Sequence, residues 1–235
     1  KYMEQYGLYE AIPGMDQIEV FTGQPSKIIV AFGDSITALN RWVKPLQRRL
    51  FDAYGGDYAL MNAGIGGNCL LYDVPGLMGA SYGEKGVSRF ERDVLRFSEL
   101  CGVIFALGVN DVAYYSQKTG AVISLEQYGS AVTDIVDRLH KARVRVIAQT
   151  LPPRSGFVKK GYTPEMEALR VSINEWIRDS ALFDYMVDAD ALLRDPKNPS
   201  FTDERYHQGD HLHPNQAGGM LLAQAYDLQK LTGEV

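Results

Sequence analysis

Cysteine is scarce: Cys69 and Cys101 are the whole supply, enough for one bridge and too few for a disulfide framework. Two free thiols are the expected state. No stretch reaches the roughly 18 consecutive apolar residues of a membrane-spanning helix. Runs of Lys or Arg are missing and the net charge is −5, so the basic footprint of a nucleic-acid binder is absent. No secretory signal is visible. The chain opens on Lys1 rather than Met, as a processed or excised piece would. Repeats, low-complexity tracts and Ser/Gly/Pro-rich linkers are lacking as well.

What is there suits one folded α/β domain with extensions. The 46% hydrophobic and 23% charged content of the 235 residues excludes disorder for the whole. A chain of this size buries roughly 70–75% of its unfolded surface.

Apolar runs alternate with helical patterns along the chain. Lys27-Ile-Ile-Val-Ala-Phe32 ends at Gly33 and reads as a buried strand. A helix over about 41–54 follows, with apolar residues at Trp42, Leu46, Leu50 and Phe51. Tyr58–Met61 is a second strand, and Ser88-Arg-Phe-Glu91 has the spacing of a capping box for a helix to about residue 98. Val103–Leu107 is a third strand. Ser124-Leu-Glu-Gln127 is another capping box, opening a helix whose face is Leu125, Tyr128, Val132, Ile135, Val136 and Leu139. Val144–Thr150 is a fourth strand, stopped by Pro152 and Pro153. Thr163-Pro164 starts a helix with a stripe of Leu169, Ile173, Trp176 and Ile177. Tyr185–Val187 is a short fifth strand, and Leu221–Leu231 a closing helix. Strand then helix, five times, implies a single doubly wound, flavodoxin-like parallel sheet of five strands with helices on both faces. Residues 1–26 precede it as an extension or the end of an upstream domain, and 27–235 form the domain proper.

Ligands of open α/β sheets bind beyond the carboxyl ends of the strands. The polar groups there are Gly33-Asp34-Ser35 after the first strand, Asn62 to Asn68 after the second, and Gly108-Val109-Asn110-Asp111 after the third. Asp210-His211-Leu212-His213-Pro214 precedes the last helix. Each is weak alone; their order and placement together carry the signal.

In these four blocks the chain resembles the SGNH, or GDSL, hydrolase family over roughly residues 27 to 231. The resemblance implies Ser35 as nucleophile, His213 as base and Asp210 as its orienting acid. It implies an oxyanion hole of Ser35 N–H, Gly67 N–H and the Asn110 amide, with Gly64 and Gly66 as alternative donors should the loop be shifted. The chemistry is coherent: a serine hydroxyl needs an adjacent base at neutral pH, and an aspartate holds the imidazole tautomer and steadies its cation. Asp34 and Asp111 are expected to brace loops. Two positions depart from the usual pattern: His211 stands where a small residue is common, and Asn68 where an acid or hydroxyl pair is. The segment Gly79 to Leu95 is similar to a subgroup associated with carbohydrate esters.

Rival readings are weaker. Gly79-Ala-Ser81-Tyr-Gly83 matches a nucleophile elbow, but Pro75 and Gly76 stand where its strand should be. His207, Asp210, His211 and His213 could suggest a zinc site, yet no helical His pair supports it, so neither metal nor cofactor is expected. Gly64-x-Gly-Gly lacks the spacing of a dinucleotide loop.

Tyr72, Tyr82, Tyr114, Tyr115 and Tyr206 fall in loops near the active end of the sheet, where rings stack on sugars or simply anchor loops. Tyr72, Tyr114 and Tyr115, with His211, are the candidate substrate contacts. The expected substrate is a small-molecule or oligosaccharide ester with a short acyl group, acetyl foremost, because no long apolar lid is seen. A thioesterase or lysophospholipase of the same family, and a non-catalytic carbohydrate-binding protein on this fold, are the alternatives. A soluble protein is expected, secreted or periplasmic if the substrate is a polysaccharide. The sequence leaves oligomeric state open.

Overall fold

The computed structural model describes residues 25–74, 81–113, 123–157 and 161–234. Nearly all of the 1–26 extension therefore lies outside the described residues. Five parallel strands, β1 (Lys27–Gly33), β2 (Tyr58–Gly64), β3 (Leu100–Ala106), β4 (Arg145–Gln149) and β5 (Tyr185–Val187), form one sheet in the order β2-β1-β3-β4-β5. The central strands are apolar on both faces: Ile29, Val30, Ala31 and Phe32 of β1 and Val103 and Ile104 of β3 are fully buried, as a parallel sheet covered by helices demands.

The helices are α1 (Ser35–Ala38), α2 (Val43–Tyr54), α3 (Gly86–Phe90), α4 (Leu125–Lys141), α5 (Pro164–Asp179), α6 (Ala189–Leu193), α7 (Gln216–Ala225) and α8 (Leu228–Thr232). From β1 the chain steps outward to β2, then returns past β1 to β3. Right-handed crossovers therefore put α2 on one face and α3, α4 and α5 on the other. The contacts agree. The Tyr128 ring of α4 meets Trp176 of α5 edge-on at 6.2 Å, while Arg49 of α2 donates to the carbonyls of Ala223 and Tyr226. This reversal makes the crevice between β1 and β3 the topological switch point.

One of the two expected capping boxes forms, and so does the expected cap of α5. Ser124 accepts from Gln127 N–H, whose side chain returns to Ser124 N–H, and Thr163 accepts from Met166 N–H, with Pro164 at the first helical position. The other box does not form. Helix α3 begins at Gly86, without a side-chain cap, and passes into a π-helical turn over Glu91–Leu95. Packing sets that start: a Cβ on Gly86 would lie 2.5 Å from Leu107 Cδ2, so glycine lets the chain enter against Leu70 and Leu107. Glu91, expected to cap, instead pairs with Arg138 of α4.

The expected closing helix is two, α7 and α8, split at Tyr226. Its ring is fully buried, stacks on Trp42 at 5.5 Å and donates its hydroxyl to Gln149 Oε1 at 2.7 Å. Asp227 then caps α8. Of the apolar residues of the stretch over 41–54, Phe51 is 55% exposed, whereas Trp42, Leu46 and Leu50 are fully buried. Cys69 and Cys101 are both free. Among the described residues, no helix is long and apolar enough to cross a membrane.

Candidate active site

Parallel register brings three strand ends level: Gly33 pairs with Gly64 of β2 and with Ala106 of β3. The segments that leave those ends therefore share one rim. Helix α1 starts at once after β1, so tightly that a Cβ on Gly33 would strike the Thr37 side chain and one on Gly64 the backbone of Ala38. Asp34 caps the helix by accepting from Ile36 N–H at 3.0 Å, the loop-bracing role expected of it. Burial pushes its carboxyl up to about 6, although the Ile36 N–H and the charges of His213, Arg154 and Arg89 pull the other way. Ser35 follows as the first residue of α1.

The C-terminal block meets Ser35 across the rim. His213 Nε2 is 2.8 Å from Ser35 Oγ, and His213 Nδ1 is 2.5 Å from Asp210 Oδ2. The other carboxylate oxygen, Oδ1, accepts from the N–H groups of Leu212 at 3.1 Å and His213 at 2.9 Å. Aspartate at this spacing folds its own turn, which is why three residues suffice to orient the imidazole. Partial burial works against the Asp210 charge, but the His213 hydrogen bond, its charge and the two backbone N–H groups outweigh it and hold the carboxyl well below the usual range. Because an ionised carboxylate only accepts, Nδ1 carries the proton and Nε2 faces the Ser35 hydroxyl as acceptor. The arrangement can draw the hydroxyl proton onto the ring.

His207 steadies the block from behind, its Nδ1 accepting from Gly209 N–H at 2.9 Å and His211 N–H at 3.1 Å. His211 has φ of 61° and rests its ring on His207, centroids 4.2 Å apart, and edge-on to Phe201. It belongs to the wall beside the relay. Among the described residues no group of three or more His, Cys, Asp or Glu side chains could hold a metal ion.

After β2, Gly67 has φ of 75°, and a Cβ there would collide with the Tyr82 ring. Only glycine takes this left-handed backbone without strain. Asn110 lies in the helical turn over 109–113 after β3 and is buried. Its Nδ2 donates to the Asn68 carbonyl at 3.0 Å, and its Oδ1 accepts from Arg154 Nη1 at 3.2 Å. Asp111 is structural, as expected: its two oxygens accept from Leu70 and Leu71 N–H at 2.7 Å each. Burial raises its carboxyl to about 7 against those two bonds.

Sequence reasoning missed the groups beneath this rim. Arg89 of α3 is fully buried, donating to Gly33 O, Ala63 O, Asn68 Oδ1 and Asp93 Oδ2 at 2.9–3.0 Å while lying over the Phe32 ring. Asn68 passes the brace on, its Nδ2 donating to the carbonyls of Tyr82 and Glu84. Phe157 stands edge-on to His213, centroids 5.7 Å apart. An arginine amid apolar helix positions was the one visible hint.

Of the expected substrate contacts, Tyr72 is half-buried on the loop after β2, and Tyr114 and Tyr115 lie outside the described residues. In the rival elbow, Gly79 is outside them too, and Ser81 is exposed.

A family model described as the GDSL-like lipase/acylhydrolase family matches residues 31–220. No curated protein sequence matches the chain. Solved structures share the fold. An acetyl xylan esterase is 22% identical, with a TM-score of 0.61, over 84% of this chain and 96% of its own. A catalytic mutant of an acetylxylan esterase from Geobacillus stearothermophilus is 19% identical, with a TM-score of 0.62, over 91% and 96%. A GDSL-like lipase from Bacteroides thetaiotaomicron is 17% identical, with a TM-score of 0.59, over 95% and 93%.

Proposed function

The chain belongs to the GDSL-like lipase/acylhydrolase family, and from that premise we propose that it is a serine esterase releasing short acyl groups, acetyl foremost, from carbohydrates. The observation that carries the reading is the unbroken relay from Ser35 Oγ through His213 to Asp210, at 2.8 and 2.5 Å.

Ser35 Oγ attacks the ester carbonyl carbon as its proton passes to His213 Nε2. Asp210, kept ionised by its bonds, orients the ring and stabilises the imidazolium without taking the proton. The carbonyl oxygen becomes an oxyanion, met by Ser35 N–H, Gly67 N–H and the Asn110 amide; one such donor is worth about 3–4 kcal/mol. Ser35 suits the first of these because the N–H groups of a first helical turn have no intrahelical partner. Collapse breaks the ester C–O bond, and His213 returns the proton to the leaving alkoxide. Water then repeats the sequence on the acyl-serine and frees the acid.

The acetyl and carbohydrate parts of the reading draw on two acetyl xylan esterases of the same fold and on the polar and aromatic surroundings of the relay, His211, Phe157 and Tyr82. A p-nitrophenyl ester series from acetyl to octanoyl, followed by acetylated xylo- and pectin-derived oligosaccharides, tests it. Expected are a kcat/KM that falls with chain length and release of acetate from the oligosaccharides. A maximum at octanoyl would favour a lysophospholipase, and faster cleavage of acyl thioesters a thioesterase.

A further inference from the structure

An amide side chain has one accepting end and one donating end, and its action depends on which way it is turned. Both ends of the buried Asn110 amide meet groups of a single polarity. Arg154 Nη1 donates to its Oδ1, and the Asn68 carbonyl accepts from its Nδ2. Turned over, the amide would set NH2 against a guanidinium and oxygen against a carbonyl oxygen, so both neighbours select one orientation. One Nδ2 hydrogen goes to Asn68, which leaves the second for the rim.

Arg154 is itself firmly held. It follows Pro152 and Pro153 after β4, where Thr202 Oγ1 donates to the Pro153 carbonyl at 3.2 Å. Its side chain is 2% exposed, and its Nη1 also reaches Val109 O at 3.4 Å. The guanidinium carbon lies 5.0 Å from the centroid of Phe157, the ring that stands edge-on to His213. A fixed cation is thus wedged between the Asn110 amide and the wall of the relay. Such a charge favours negative charge developing beside it, more strongly in a buried site than in water.

We propose that Arg154 is a positioning residue for ester hydrolysis: it locks the Asn110 amide with an N–H toward the oxyanion and places positive charge behind that donor. The proposal rests on the reading of Asn110 as an oxyanion donor. An arginine that served stability alone would change the melting temperature and leave kcat per folded molecule intact.

The test is a double-mutant cycle on the whole chain with p-nitrophenyl acetate, using Arg154→Met, Asn110→Ala and the double variant, with the melting temperature measured for each. Asn110→Ala is expected to lower kcat by about 10²–10³-fold, as loss of an oxyanion donor does. Arg154→Met should lower kcat by about tenfold or more, a part of that donor effect, with KM nearly unchanged. The double variant should be slower than Asn110→Ala by clearly less than Arg154→Met is slower than the parent, because the charge still acts on the oxyanion but the donor it orients is gone. Arg154→Lys keeps the charge but only a point donor; its kcat should fall between the parent and Arg154→Met, and its deficit should vanish on the Asn110→Ala background. That pair decides the matter if the methionine variant fails to fold. Multiplicative losses in the double variant, or a full kcat in both Arg154 variants beside a slow Asn110→Ala, would overturn the proposal and leave the esterase reading standing. A full kcat in Asn110→Ala would remove the oxyanion assignment of that amide and this proposal together.

Discussion

His213 Nε2 sits 2.8 Å from Ser35 Oγ although 178 positions of the chain separate the two residues. One stands at the first turn after β1 and the other in the turn before α7, and the packing of α7 against α2 and Arg41 brings the two turns together. The carboxylate behind the imidazole fixes which nitrogen faces the hydroxyl, so the pair is set for proton transfer before any substrate arrives.

Replacing members of this relay should therefore rank in a definite order. Ser35→Ala and His213→Ala should each lower kcat by at least about 10³-fold. Asp210→Asn should cost less, since the base survives while its orientation and counter-charge are lost. His211→Ala should leave kcat within about threefold, a surface-scale effect, and move mainly KM. A fluorophosphonate should label the parent at Ser35, and Ser81→Ala should label as well as the parent. Activity should fall on acidification, because an imidazolium cannot accept the serine proton. The Asp210 carboxyl, held well below its usual range, stays ionised throughout. Labelling at Ser81 with Ser35 unmodified, or a dead His211→Ala beside an active His213→Ala, would put the block out of register.

Gly67 is a second sensitive point. Alanine there must hold a φ of 75° and collide with the Tyr82 ring. Gly67→Ala should destabilise by about 1–3 kcal/mol and reduce kcat by displacing the backbone N–H. Adding Tyr82→Ala frees the space but not the backbone, so urea unfolding should recover part of the stability and none of the kcat. Full recovery of both would mean that the backbone conformation is not what matters.

Stability should carry a signature of Asp34. Burial raises its carboxyl to about 6, so the folded state favours the protonated acid. Its contribution is full below the unfolded value near 4 and is lost as pH rises through 6. Asp34→Asn keeps the oxygen that accepts from Ile36 N–H and cannot ionise. Between pH 4.5 and 8, the drop in urea-derived stability should be smaller in the variant by about 2–3 kcal/mol. Equal drops in the two proteins would rule out Asp34 as a source of the pH dependence.

Much of the architecture was legible because its causes are local. The apolar runs of β1, β3 and β4 need no partner to be recognised as buried parallel strands. Ser124 and Thr163 cap their helices through bonds to residues three positions on. Asp210 and His213 lie in one short turn, so their pairing follows from spacing. Where spacing misled, a distant neighbour had overridden a local preference. Glu91 answers to Arg138 and not to Ser88. Tyr226 breaks the last helix because Trp42 and Gln149 hold it in the core.

The sequence by itself determined the strand-and-helix alternation, the doubly wound sheet and the four blocks at the strand ends, since periodicity, caps and turns act within a few residues. Only the tertiary structure decided which buried groups stiffen the rim. Arg89 joins Gly33, Ala63 and Asn68 from α3, and Arg154 reaches Asn110 from the loop after β4. An arginine becomes a buried brace only where several carbonyl and amide oxygens converge on its guanidinium. That convergence belongs to the folded chain, because residues tens of positions apart supply those oxygens.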